Sequence, residues 1–196
     1  MKPLTVAAYL ALLITPVATA GGATVDFAAT GVNDAANDDF FQIAFTSGNP
    51  SDFIAQIVYT LPGGTFDLDG FAAPYLGTLT GLVFTDITFS PTLGSTTSTS
   101  SLTITFAPGS FAVGDSLAFG VDIDGYGSPI DGSALSTNNA LVSLTLEDTL
   151  SASDTFTLDP NNADTATASI FIQTVPTPAA AASGLTLLAL LTARRR

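Results

Sequence analysis

Between Gly21 and Thr174 the sequence keeps a single rhythm: short runs rich in Val, Ile, Phe and Thr, each closed by Gly, Pro, Asn, Asp or Ser. This rhythm restricts the fold more than any other feature. An apolar period of two buries one face of a strand, whereas a helix needs its apolar residues three or four positions apart. The runs predict strands at Thr24–Thr30, Phe40–Thr46, Phe53–Leu61, Thr65–Leu68 and Leu82–Phe89 in the first half. In the second half they predict Ser101–Phe106, Ser116–Ile123, Ala140–Leu146, Asp154–Leu158 and Ala166–Thr174. Leu102, Ile104 and Phe106 face one way and Thr103 and Thr105 the other; likewise Ile170 and Ile172 oppose Phe171 and Gln173. No helical period competes inside the stretch. Ten short strands with frequent turn signals predict an all-β fold, a single β-sandwich of jelly-roll or immunoglobulin-like outline. A β-solenoid is the alternative, but it needs a short fixed repeat, and none is visible.

Charge divides the chain sharply. The four basic residues are Lys2, Arg194, Arg195 and Arg196, and all seventeen acidic ones lie between them. The stretch 21–174 therefore carries −17, against −13 for the whole chain. A domain without Lys or Arg cannot neutralise phosphates, which argues against nucleic acid and against anionic lipid headgroups as partners. Glu147 is the single Glu; the other acids are Asp. No cysteine is present, so stability rests on packing, with solvated carboxylates keeping the surface soluble in salt.

Both ends read as targeting segments. Lys2 opens a short n-region, an apolar stretch runs from Leu4 to about Val17, and Ala18-Thr19-Ala20 supplies the small-x-small pattern of signal-peptidase cleavage. Residues 1–20 are thus expected to be a signal peptide, cut after Ala20. At the other end, Val175-Pro176-Thr177-Pro178 precedes an apolar run, Ala179 to Ala193, and then Arg194-Arg195-Arg196. Pro176 and Pro178 block a continuous helix. The fifteen residues of this run make a helix of about 22 Å, short of a ~30 Å hydrocarbon core unless the arginines snorkel. The arginines also hold the C-terminus cytoplasmic by the positive-inside rule.

This arrangement of motif, hydrophobic helix and basic cluster resembles the PEP-CTERM sorting signal, with Thr177 where that family carries Glu. The resemblance covers residues 175–196. It implies transient inner-membrane anchoring, removal of the helix by an exosortase-like enzyme after signal-peptidase processing, and association with exopolysaccharide at the cell surface. Within the domain, Phe119–Gly125 resembles a Phe-Gly-Val-Asp-x-Asp-Gly stretch of some PEP-CTERM proteins.

One internal echo carries chemistry. Asp67-Leu68-Asp69-Gly70-Phe71 and Asp122-Ile123-Asp124-Gly125-Tyr126 both continue x-x-Pro-x-x-Gly, 55 residues apart. Two carboxylates at i and i+2 share one side of a strand, and the turn that follows offers carbonyls, which is hard-cation chemistry. Asp67, Asp69, Asp122 and Asp124 are therefore the candidate calcium ligands. Neither copy is an EF-hand: counted from Asp122, position 5 is Tyr126 and position 12 is Ser133, where that loop needs Glu. Two further oxygen-rich loops are Asn33, Asp34, Asn37, Asp38 and Asp39, and Asp159, Asn161, Asn162 and Asp164. At each, side chains closing their own turns are the competing explanation. The tract Ser95–Ser101 reads as an exposed loop or the start of a polar strand.

The missing residue types dispose of most catalysis. With no His and no Cys there is no Ser–His–Asp triad, thiol nucleophile or zinc site, and with no Lys in the domain no Schiff base. Paired carboxylates could only serve glycoside hydrolysis. The chain is expected to be a non-catalytic cell-surface or matrix protein. The alternative is a calcium-dependent carbohydrate-binding module. Its stacking aromatics would come from Tyr59, Tyr75 and Tyr126, since Trp is absent.

Overall fold

The computed structural model describes residues 21–33, 37–68, 75–92, 98–127 and 130–174. The expected signal peptide with Ala18 and Ala20, the tail with Val175, Pro176, Thr177, Pro178, Arg194, Arg195 and Arg196, and Asp69 of the first echo lie outside them. No helix among the described residues is long and apolar enough to cross a membrane.

Gly21–Thr174 forms one compact unit, and it is almost entirely β. The first strands are β1 (Gly21–Thr30), β2 (Phe41–Ser47), β3 (Ile54–Thr60), β4 (Thr65–Asp67), β5 (Tyr75–Thr80) and β6 (Ile87–Ser90). Then follow β7 (Ser101–Phe106), β8 (Ser116–Gly120) and β9 (Asp122–Asp124), a short helix α1 (Gly132–Thr137), and β10 (Leu141–Leu146). The last are β11 (Ser151–Thr155), β12 (Thr157–Asp159) and β13 (Asn162–Thr174). One sheet has six strands in the order β12-β13-β1-β2-β8-β5, a second has five, β11-β10-β3-β7-β6, and β4 pairs with β9 as a separate ribbon.

Every pairing is antiparallel, and several nest. β6 pairs with β7, β5 with β8, β3 with β10 and β1 with β13, so early strands meet late ones in reverse order. The two large sheets face each other across one apolar core. Alternation does the sorting: Ala23, Val25, Phe27 and Ala29 of β1 turn inward, as do Phe41, Ile43 and Phe45 of β2. The expected facing of β7 holds, with Leu102, Ile104 and Phe106 buried. That of β13 holds too, with Ile170 and Ile172 buried and Phe171 63% exposed. Tyr59 of β3 joins the sheets, its ring touching Phe27 and Phe41 of the opposite sheet at centroid distances of 6.3 and 4.9 Å.

The structure departs from expectation at five places. The run Ser116–Ile123 breaks at Val121, and Asp154–Leu158 breaks at Phe156, where the chain leaves the five-stranded sheet for the six-stranded one. Phe156 is buried at that crossing, so an unbroken alternation can conceal a change of sheet. Leu82–Phe89 shortens to β6, preceded by a 3-10 turn at Phe84–Asp86. β5 carries no clear signal in the sequence because Gly77 interrupts it at an irregularity in its pairing with β8. And α1 is a helix inside a domain where none was expected. Asp131 caps it, accepting from Ala134 N at 3.1 Å, and one side chain, Leu135, enters the core. Six residues are too few for a period to register.

Candidate functional site

The ribbon brings the two echoed motifs together. Thr65 pairs with Asp124, Phe66 with Ile123 and Asp67 with Asp122. Phe66 and Ile123 are buried, so Asp67, Asp122 and Asp124 share the outward face. Asp67 and Asp122 are direct cross-strand neighbours, where like charges oppose pairing. Partial burial pushes the Asp122 carboxyl up from its ordinary range, and the charges of Asp124 and Asp67 push it further, while its hydrogen bond from Ile123 N acts the other way. Among the described residues, no three His, Cys, Asp or Glu side chains gather closely enough to hold a metal ion.

Several other acids and amides close turns. Asp52 Oδ2 accepts from Asn49 N at 2.7 Å, Asp115 Oδ2 from Ala112 N at 2.8 Å, and Asp159 Oδ1 from Asn161 N at 2.8 Å. Asn162 Oδ1 accepts from Asp164 N at 3.1 Å, and Asn37 Oδ1 from Asp39 N at 3.2 Å. A carboxylate on one methylene reaches the backbone of its own turn, which explains a surface built on Asp and almost without Glu. Asn33 points inward, its amide bonded to Val121 and Ile123. In the oxygen-rich loops, Asn37, Asp159 and Asn162 close their own turns, whereas Asn33 and Asp39 bond to other strands.

Tyr59 is unavailable as a sugar platform. Tyr59 is fully buried, and burial raises its phenol well above the ordinary range. Tyr126 lies half-buried on the ribbon with its hydroxyl donating to Pro62 O at 3.1 Å. The side chain of Tyr75 lies outside the described residues.

A concavity lies elsewhere, on the outer face of the six-stranded sheet. Strand register lays two rows of side chains across it: Ser169, Asp26, Ala44 and Ser116 in one, and Thr157, Thr167, Ala28, Gln42 and Ala118 in the other. Alanine and serine in the middle of a sheet leave a trough of about 690 Å³, within the size range of small-ligand sites. Carboxylates edge it, each held by hydrogen bonds. Asp26 accepts from Ser169 Oγ at 2.6 Å and from Thr46 Oγ1 at 3.0 Å. Asp154 Oδ2 accepts from Ser169 N at 3.1 Å, completing β13 beyond the end of β12. Across the sheet, Asp39 Oδ1 accepts from Thr78 N at 3.1 Å, and Gln42 Nε2 donates to Asp39 O at 3.2 Å.

Sequence reasoning missed this site. Alternation fixes Asp26, Ala28, Gln42 and Ala44 as outward-facing, but only the order of strands shows that they lie side by side. No protein-family model, curated protein or solved structure matches the chain.

Proposed function

We propose that this is a non-catalytic exported protein of the cell surface or extracellular matrix, associated with exopolysaccharide through its β-sandwich. The observation that carries the reading is the polar trough, a preformed binding face whose carboxylates are tied into hydrogen bonds with neighbouring strands. The nesting of β1 with β13 around β3–β10, β5–β8 and β6–β7 favours the jelly-roll form of sandwich over the immunoglobulin-like one. Delivery rests on the two ends of the sequence: a signal peptide over residues 1–20, cleaved after Ala20, and a sorting tail over 175–196. The tail would anchor the chain transiently in the inner membrane until an exosortase-like enzyme removes it near Pro176 and Pro178.

Mass spectrometry of the protein recovered from its host tests this. A mature chain starting at Gly21, lacking Arg194–Arg196 and found outside the inner membrane is the expected result. Recovery of intact termini from cytoplasm overturns it. Release of reducing sugar from a bound polysaccharide would overturn the non-catalytic part. The second reading, a calcium-dependent carbohydrate-binding module, is favoured by the meeting of Asp67 with Asp122 on the ribbon.

A further inference from the structure

We infer that the trough on the six-stranded sheet binds an extended, uncharged glycan strand, with Phe171 as the stacking platform beside it. The inference rests on the association with polysaccharide proposed above and gives it a site.

Charge narrows the ligand first. Asp26, Asp39 and Asp154 edge the trough, and no Lys or Arg lies anywhere between residues 21 and 174. Polyuronates, nucleic acids and other polyanions are repelled. A ligand rich in hydroxyl donors suits a rim of acceptors: each carboxylate oxygen already carrying one hydrogen bond keeps a lone pair for another. Because those existing bonds fix the carboxylates, little ordering is required when a ligand arrives.

Shape narrows it further. The trough crosses all six strands, and from β12 to β8 alone spans about 19 Å at the usual strand spacing. Its floor of Ala28, Ala44, Ser116 and Ala118 has no deep apolar pocket for an anchoring side chain. A peptide strand would add at a sheet edge, where backbone groups are open, and a helix would need an apolar groove. A short stretch of polysaccharide needs neither.

Phe171 supplies the apolar contact. It stands on the same face as Ser169, two residues and therefore about 7 Å further along β13. At 63% exposure it is the most exposed large apolar side chain among the described residues. Its ring also has a defined place. Gly22, diagonal to it on β1, has no side chain, and a methyl built there would run into the ring. The ring thus lies against the glycine, as in aromatic rescue of a strand glycine, and leaves most of its surface open to solvent. An aromatic face beside fixed hydrogen-bond acceptors matches the two surfaces of a pyranose, its C–H face and its hydroxyl edge.

The test is calorimetry on the purified full chain with cello-, laminari-, manno- and malto-oligosaccharides, and with oligogalacturonate as the acidic control. At least one neutral series is expected to bind and the acidic one not. Phe171→Ala should weaken binding about tenfold, a loss of ~1.4 kcal/mol. Ala44→Phe, which fills the trough, should abolish it. Both variants should melt close to the wild type, because neither position is in the core. If no neutral series binds, or if both variants bind as the parent does, the site is wrong. Those outcomes leave localisation and terminal processing untouched, so failure here and failure of the sorting reading are separable.

Discussion

Asn33 acts as a strand partner to Ile123: its Oδ1 accepts from Ile123 N at 2.9 Å while its Nδ2 donates to Val121 O at 2.8 Å. The side-chain amide supplies the acceptor and donor that a neighbouring backbone would offer, where the chain passes from β8 into β9. Asp122 Oδ1 also reaches Ile123 N, at 2.9 Å, so Val121 O is the group left without this partner if Asn33 is truncated. Asn33→Ala should destabilise by about 2 kcal/mol, the penalty of unpairing a buried polar group. Asn33→Asp should be worse at neutral pH, because its carboxylate meets a carbonyl oxygen, and should recover in acid, when its proton can be donated. Urea midpoints at two pH values check both.

Tyr59 presents the opposite case. Its hydroxyl is buried, its ring packs among aromatic rings, and the hydroxyl meets no hydrogen-bond partner among the described residues. Tyr59→Phe keeps the ring packing and removes the stranded polar atom, so it should stabilise the fold by about 1 kcal/mol. A loss of stability would show that the hydroxyl is satisfied in solution, by water.

The fold class was legible because β1, β2, β7 and β13 bury every second residue, and period two survives in a sequence without any structural context. The sheet switches at Val121 and Phe156 were not. Val121 closes an apolar run and Phe156 keeps an unbroken alternation with Thr155 and Thr157, so nothing local records which sheet continues. The ribbon could be guessed at only as an echo; that Asp67 meets Asp122 depends on pairing across 55 residues. The trough was hidden for the same reason. Ala28, Ala44 and Ala118 are unremarkable singly and become a floor only when β1, β2 and β8 lie together.

Thr149 lies at φ 71° in the turn between β10 and β11. That left-handed conformation suits glycine and strains a β-branched side chain. Thr149→Gly should therefore raise stability by about 1 kcal/mol, the relief of strain outweighing the extra freedom of the unfolded chain. Thermal melting checks it, and Thr149→Val, which retains the branch, should give no gain.

The last prediction concerns Asp122, where burial and charge act together. Its carboxyl titrates above the ordinary value of 3.8 because partial burial disfavours the charge, and Asp124 and Asp67 add to the effect. A carboxyl raised in the folded state binds its proton more tightly there than in the unfolded chain. Stability from this group therefore falls as pH rises from about 3.8 to its folded value, and the full penalty is present above that. Asp122→Asn removes the charge and keeps an oxygen for Ile123 N. The variant should melt a few degrees higher than the parent at neutral pH, and the difference should shrink to nothing as the pH falls through the carboxylate range. Sodium chloride should raise the parent's melting temperature more than the variant's, since it screens a repulsion the variant has partly lost. Calcium stabilisation exceeding that of sodium at equal ionic strength, and lost in Asp122→Asn, would be the signature of an ion on the ribbon. A difference between parent and variant that stays constant from acid to neutral pH would refute the role of this charge.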